Sequence, residues 1–112
     1  MAMLSIETDQ IHSVSVIKVK GRVDSDTAPE LDNALTKLLQ ENDKIVLNLE
    51  GVEYVSSAGL RAIVKAYQSA KKSGGNVHLA SAPRSVEGIL LTVGMMQMFK
   101  MFPTSEEAAA GF

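Results

Sequence analysis

After an opening pair of β-type segments, short apolar runs alternate with apolar stripes of helical period, and this alternation restricts the fold more than any other feature of the chain. Leu31, Ala34, Leu35, Leu38 and Leu39 fall at i, i+3, i+4, i+7 and i+8. Leu60, Ile63, Val64, Tyr67 and Ala70 form a second stripe, and Val86, Ile89, Leu90 and Val93 a third. Such spacing puts each set on one side of a helix. Between the stripes, the runs from Ile45 to Leu49 and from Val77 to Ala80 are too short for helices and have polar flanks. Runs of that kind suit strands, and the first reads as a central strand buried on both faces. Strands separated by helices are joined by right-handed crossovers, which makes them parallel.

The punctuation between these segments fixes the remaining elements. Leu4 to Thr8 and Ser13 to Lys20 read as two strands joined by a turn at Asp9-Gln10-Ile11-His12, hence an antiparallel pair. In the second strand Val14 and Val16 share a side with Lys18 and Lys20, while Ile17 and Val19 point the other way, so both faces are partly apolar or a bulge intervenes. Gly21 is expected to end this strand, with Arg22 to Asp26 as a loop. Thr27-Ala28-Pro29-Glu30 has capping-box spacing with proline in the first helical turn, and Asn42-Asp43 closes that helix. Glu50 to Val55 reads as a connection. Ser73-Gly74-Gly75 stops the second helix, with glycine available for a left-handed cap. Pro83 opens a third helix that Gly94 ends, Phe99 to Phe102 is a weak edge strand, and Thr104-Ser105-Glu106-Glu107 caps a short terminal helix. The expected order is β-β-α-β-α-β-α-β-α in one domain over residues 1–112. It describes an α/β fold whose mixed, mostly parallel sheet of four to five strands carries an N-terminal antiparallel strand and about four helices.

Composition narrows the function. A chain of 112 residues buries roughly two-thirds of its unfolded surface, enough for one core. With 4% aromatic residues and no Trp, that core is aliphatic. The net charge of −2 comes without a basic block, which argues against nucleic-acid binding. Cysteine is absent, so disulfides, thiolate catalysis and Cys-ligated metals are excluded. His12 and His78 lack ligand-like spacing, so no metal and no cofactor is expected. No apolar run approaches the ~18–20 residues of a membrane span. Met1 to Ser5 lacks the features of a signal peptide, and a cytoplasmic location is expected.

Parallel strands place the loop at Asp24 and the loop at Ser56-Ser57 on one carboxyl edge, where open α/β sheets commonly hold their sites. Tyr54-Val55-Ser56-Ser57-Ala58-Gly59-Leu60 joins a buried strand to a helix start, and two readings of it stand side by side. In one, a serine is an ordinary N-cap. In the other, a hydroxyl at the positive end of a helix accepts a phosphate, adding about −1.5 to −2 charges in one step.

Two motifs carry a resemblance to a known family. Ile45-Val46-Leu47-Asn48-Leu49-Glu50-Gly51-Val52-Glu53-Tyr54-Val55-Ser56-Ser57-Ala58-Gly59-Leu60-Arg61 resembles the signature of STAS domains, an apolar strand ending in D/N-L followed by D/S-S-x-G-L. Gly21-Arg22-Val23-Asp24-Ser25-Asp26-Thr27-Ala28-Pro29-Glu30-Leu31 is similar to the family's other marker, G-x-(L/V)-D before a helix. Lys72 to Val77 and the apolar helix after Pro83 match in placement, so the likeness spans nearly the whole chain. The resemblance implies a STAS-type fold and the role of an anti-sigma factor antagonist. Such a protein is not an enzyme. It binds an anti-sigma factor, a serine kinase using ATP and Mg²⁺, and thereby frees a sigma factor. The kinase phosphorylates it and releases it, and a phosphatase resets the cycle.

By the same resemblance Ser57 is the phosphoacceptor, and Asp24, Ser25, Thr27, Ser56, Ser57, Ala58, Gly59 and Arg61 meet the partner. Many phosphorylated members carry Asp immediately before the acceptor, where this chain has Ser56, so a second hydroxyl stands beside the first. The alternative role is a STAS subunit of a transport or signalling assembly that binds a partner without being phosphorylated.

Ser57, His78 and an aspartate would make a hydrolase triad, but G-x-S-x-G is absent and His78 lies inside a strand. Asp24, Asp26, Glu50 and Glu53 suggest Mg²⁺, yet solvated loop carboxylates explain them. The Met-rich segment 95–101 reads as a core-facing loop and edge strand, or as a contact surface in a monomer or weak dimer.

Overall fold

The computed structural model describes residues 4–112. Its elements run β1 (Ser5–Ile11), β2 (Val14–Val23), α1 (Ala28–Glu41), β3 (Lys44–Val55), α2 (Ser57–Lys72), β4 (Asn76–Ala80), α3 (Arg84–Thr92), β5 (Met101–Phe102) and α4 (Ser105–Ala110). The sheet order is β1-β2-β3-β4-β5. β1 is antiparallel to β2, and all later neighbours are parallel. This is the α/β architecture that the alternation of strand runs and helical stripes calls for.

The first three strands are longer than their sequence suggests. β1 continues through Asp9, Gln10 and Ile11, which pair with Val16, Ser15 and Val14. The turn is therefore not at residues 9–12 but at His12-Ser13, where His12 takes the positive φ of 56° that a two-residue hairpin requires. Gly21 does not end β2. It sits within the strand at φ 114°, between two register shifts, and β2 runs on to Val23. The expected connection from Glu50 to Val55 is likewise strand, paired through Lys20 to Gly51, Gly21 to Val52, Arg22 to Tyr54 and Val23 to Val55. Gly51 permits the approach, since a Cβ there would lie 2.7 Å from Lys20 Cγ.

Two layers cover the sheet unequally. Ile17, Val19, Ile45, Leu47, Leu49 and Leu79 meet Leu31 and Leu35 of α1, Ile63 and Ala66 of α2, and Val86 and Leu90 of α3. The alternate side chains Val14, Val16, Val46 and Ala80 meet Ala108 and Ala109 of α4. Period-2 alternation puts these clusters on opposite faces. Both faces of β2 are thus apolar at its start. Asn48 faces α4 and donates to Ser105 Oγ at 2.7 Å inside the protein.

The last third departs from expectation in detail. Val93 caps α3 and is 50% exposed rather than part of its buried stripe, and Leu91 is 70% exposed. Gly94 takes φ 74°, and Met95 N–H donates back to the Leu90 carbonyl at 2.8 Å, closing the helix. Met95, Met96 and Met101 pack against the core, and buried Phe99 stands edge-on to Tyr67 at 5.1 Å. Only Met101–Phe102 of the expected edge strand pairs, with Leu79 and Ala80.

Candidate functional site

The ends of β2 and β3 lie side by side at Val23 and Val55, and both following segments begin at that edge. Ser56 N–H donates to the Val23 carbonyl at 2.8 Å, tying the head of α2 to the end of β2. Ser56 is the N-cap of α2, extended at φ −81° and ψ 173°, and its hydroxyl accepts the Gly59 N–H at 3.2 Å. The cap reading therefore holds for Ser56. Ser57 is the first helical residue and is exposed, and among the described residues its hydroxyl has no hydrogen-bond partner. α2 has no acidic residue in its first turn, so the positive end of its dipole is uncompensated.

Gly59 sets how closely this helix head sits on the sheet. A Cβ there would stand 2.6 Å from Val23 Cγ1 and 2.9 Å from Val55 Cγ1. Glycine lets α2 rest on the ends of both strands.

The neighbouring loop is held by Asp24. Its Oδ1 accepts the N–H groups of Asp26 at 2.9 Å and Thr27 at 3.1 Å, and its Oδ2 lies 3.6 Å from Arg22 Nε. Partial desolvation pushes the Asp24 pKa up. The Thr27 and Asp26 N–H groups, the Thr27 hydroxyl and the Arg22 guanidinium outweigh this and hold the carboxyl below the ordinary aspartate value. Arg22 also lies over the Tyr54 ring, 4.3 Å from its centroid. The capping box expected at Thr27-Glu30 does not form. Thr27 is the N-cap, but its hydroxyl donates to the Arg22 carbonyl at 2.7 Å and accepts Asp24 N–H at 2.9 Å.

The expected site residues fall into two groups. Ser25, Ser57 and Arg61 are exposed, and Asp24, Ser56 and Ala58 are half-buried. Ser25, Ala58 and Arg61 line one groove between the first halves of α1 and α2, with Ala28, Pro29 and Lys65. Thr27 and Gly59 are buried, so neither presents a side chain to a partner; they shape the edge from below. Sequence reading missed Arg22 and Tyr54. Their cross-strand pairing was hidden because residues 50–55 look like a loop.

Two alternatives dissolve in the geometry. His78 is 1% exposed on the α4 face, opposite the layer that holds α2. Its Nδ1 bonds the Ala108 carbonyl at 2.9 Å, and its ring stacks on Phe112 at 3.8 Å. It is a core histidine, not a partner of Ser57. Among the described residues no three His, Cys, Asp or Glu side chains come together to hold a metal, so Asp24, Asp26, Glu50 and Glu53 form no such site. No described helix is long and apolar enough to cross a membrane.

Comparison with known proteins agrees with this fold. The family model for the STAS domain matches residues 5–108. BtrV of Bordetella bronchiseptica, described as an anti-sigma factor antagonist, is 26% identical over 97% of this chain and 95% of its own. The anti-sigma-B factor antagonist of Staphylococcus aureus is 40% identical over a shorter stretch, 54% of this chain and 57% of that protein. The crystal structure of an anti-sigma factor antagonist from Mycobacterium paratuberculosis superposes with a TM-score of 0.87 at 24% identity, covering 96% of this chain and 92% of that one. The fold also occurs in a sulfate transporter family protein from Wolinella succinogenes, with a TM-score of 0.77 at 19% identity over 92% of this chain and 87% of that one.

Proposed function

The chain belongs to the STAS domain family, and from that premise we propose that it is an anti-sigma factor antagonist switched by phosphorylation of Ser57. In this reading the single domain of residues 1–112 binds an anti-sigma factor serine kinase through the carboxyl edge of its sheet. Binding frees a sigma factor. The chain catalyses nothing itself.

One observation carries the reading: of two adjacent serines at the head of α2, Ser56 spends its hydroxyl on the cap while Ser57 keeps its own exposed and unbonded among the described residues. The transfer is a simple displacement. Ser57 Oγ attacks the γ-phosphorus of ATP held with Mg²⁺ by the kinase, the bond from that phosphorus to the β,γ-bridging oxygen breaks, ADP leaves, and the hydroxyl proton passes to a base of the kinase. The product carries about −1.5 to −2 charges at an edge previously neutral at that position. A partner packed on a neutral hydroxyl then faces an anion for which its own docking surface holds no matching cation. Release follows, and a phosphatase restores the hydroxyl.

Asp24, Ser25, Ala58 and Arg61 would surround Ser57 in the docked complex, with Asp24 contributing a carboxylate that is ionised at physiological pH as any ordinary aspartate is. Incubation with the cognate kinase, ATP and Mg²⁺ followed by mass spectrometry tests the assignment. Phosphate on Ser57 is expected, and phosphate confined to Ser56 or elsewhere refutes it. The shared fold with a transporter family protein supports a second reading, a subunit of a transport or signalling assembly that is never phosphorylated. No phosphate incorporation, with co-purification of a transporter, would favour that one.

A further inference from the structure

We propose that Arg61 is the built-in counter-ion of the phosphorylated form, so that phosphate on Ser57 also ties up a cation of the docking surface. This rests on the reading of Ser57 as the acceptor. Ser57 and Arg61 stand four residues apart on α2, and both are exposed. Residues at that spacing are neighbours on one side of a helix, and an anion N-terminal to a cation is the favourable order.

The other cations near this edge are already engaged. Arg22 is held by Asp24 and lies over Tyr54. Lys65, one turn beyond Arg61, reaches across to Asp32 of α1, with both carboxylate oxygens 3.3 Å from Nζ. Among the described residues Arg61 makes no ion pair. A guanidinium also matches phosphate oxygens with two parallel donors, which an ammonium does not. Before phosphorylation Arg61 lines the groove between α1 and α2 beside Ser25 and Ala58. Afterwards it turns to the phosphate. One covalent event thereby changes two partner-facing groups: the hydroxyl becomes an anion, and the free guanidinium becomes paired.

The test does not depend on the kinase. Phosphoserine is installed at position 57 during translation, and its phosphate is titrated by phosphorus NMR at low salt in the wild-type background, in Arg61→Gln and in Arg61→Lys. Arg61 favours the dianion, so Arg61→Gln is expected to shift the monoanion–dianion equilibrium about 1.5- to twofold toward the monoanion. Arg61→Lys should restore part of the difference, and salt near 1 M should erase most of it. A merely structural role for Arg61 would move none of these. Identical titrations of wild type and Arg61→Gln at low salt would overturn the assignment of Arg61 and leave the Ser57 switch standing. A kinase that modifies another residue would remove the switch and leave this measurement valid.

Discussion

At the head of α2, Ser56 closes the helix with its hydroxyl while Ser57, one residue on, keeps its own free. Substitution should separate these roles. Ser56→Ala loses the bond to Gly59 N–H and is expected to lower stability by about 1 kcal/mol in a denaturant titration, leaving phosphorylation intact. Ser57→Ala should leave stability nearly unchanged and abolish phosphate incorporation, while Ser57→Asp should bind the partner poorly. Gly59→Ala tests the packing beneath them. Its Cβ would meet Val23 and Val55 at 2.6 and 2.9 Å, so a loss of roughly 1–3 kcal/mol is expected. The sequence made both serines visible, yet it left open which one caps, because that depends on a backbone angle at Ser56. Thr27 shows the converse. Its spacing to Glu30 satisfies a capping box, but its buried hydroxyl oxygen accepts the Asp24 N–H instead and gives its proton to the Arg22 carbonyl.

The elements with strong apolar patterning were legible from their residues. α1, α2 and β4 follow the expected stripes and runs, because burial against one sheet enforces their periods. The ends of β2 and β3 were not, since Gly21, Glu50, Gly51 and Glu53 interrupt the pattern and only pairing between the two strands defines them. α4 is held by polar as well as apolar contacts, and two predictions belong to it. Ser105→Ala removes the buried partner of Asn48 and is expected to cost about 1–3 kcal/mol. His78 is held below its ordinary pKa by burial, against the pull of the Ala108 carbonyl and with a small contribution from Lys100. The unfolded chain therefore takes up a proton first as pH falls. Stability should be level above the ordinary histidine range and should decline as pH drops from about 7 toward 5, a slope that His78→Gln removes in melts across that range.

For the molecule as a whole, the parallel order of β2 and β3 brings two loops far apart in sequence to one edge. The extra length of those strands moves their ends to Val23 and Val55, directly under both loops. That edge combines an exposed hydroxyl, an aspartate hydrogen-bonded by its own loop, and an unpaired arginine among the described residues. A phosphate added at this edge would change the surface charge without refolding the protein, because the core lies elsewhere. Calorimetric affinities of the cognate anti-sigma factor for the unmodified protein and for protein carrying phosphoserine at 57 test the proposed switch most directly. Weakening of tenfold or more, about 1.4 kcal/mol, is predicted on phosphorylation; equal affinities for the two forms would contradict it.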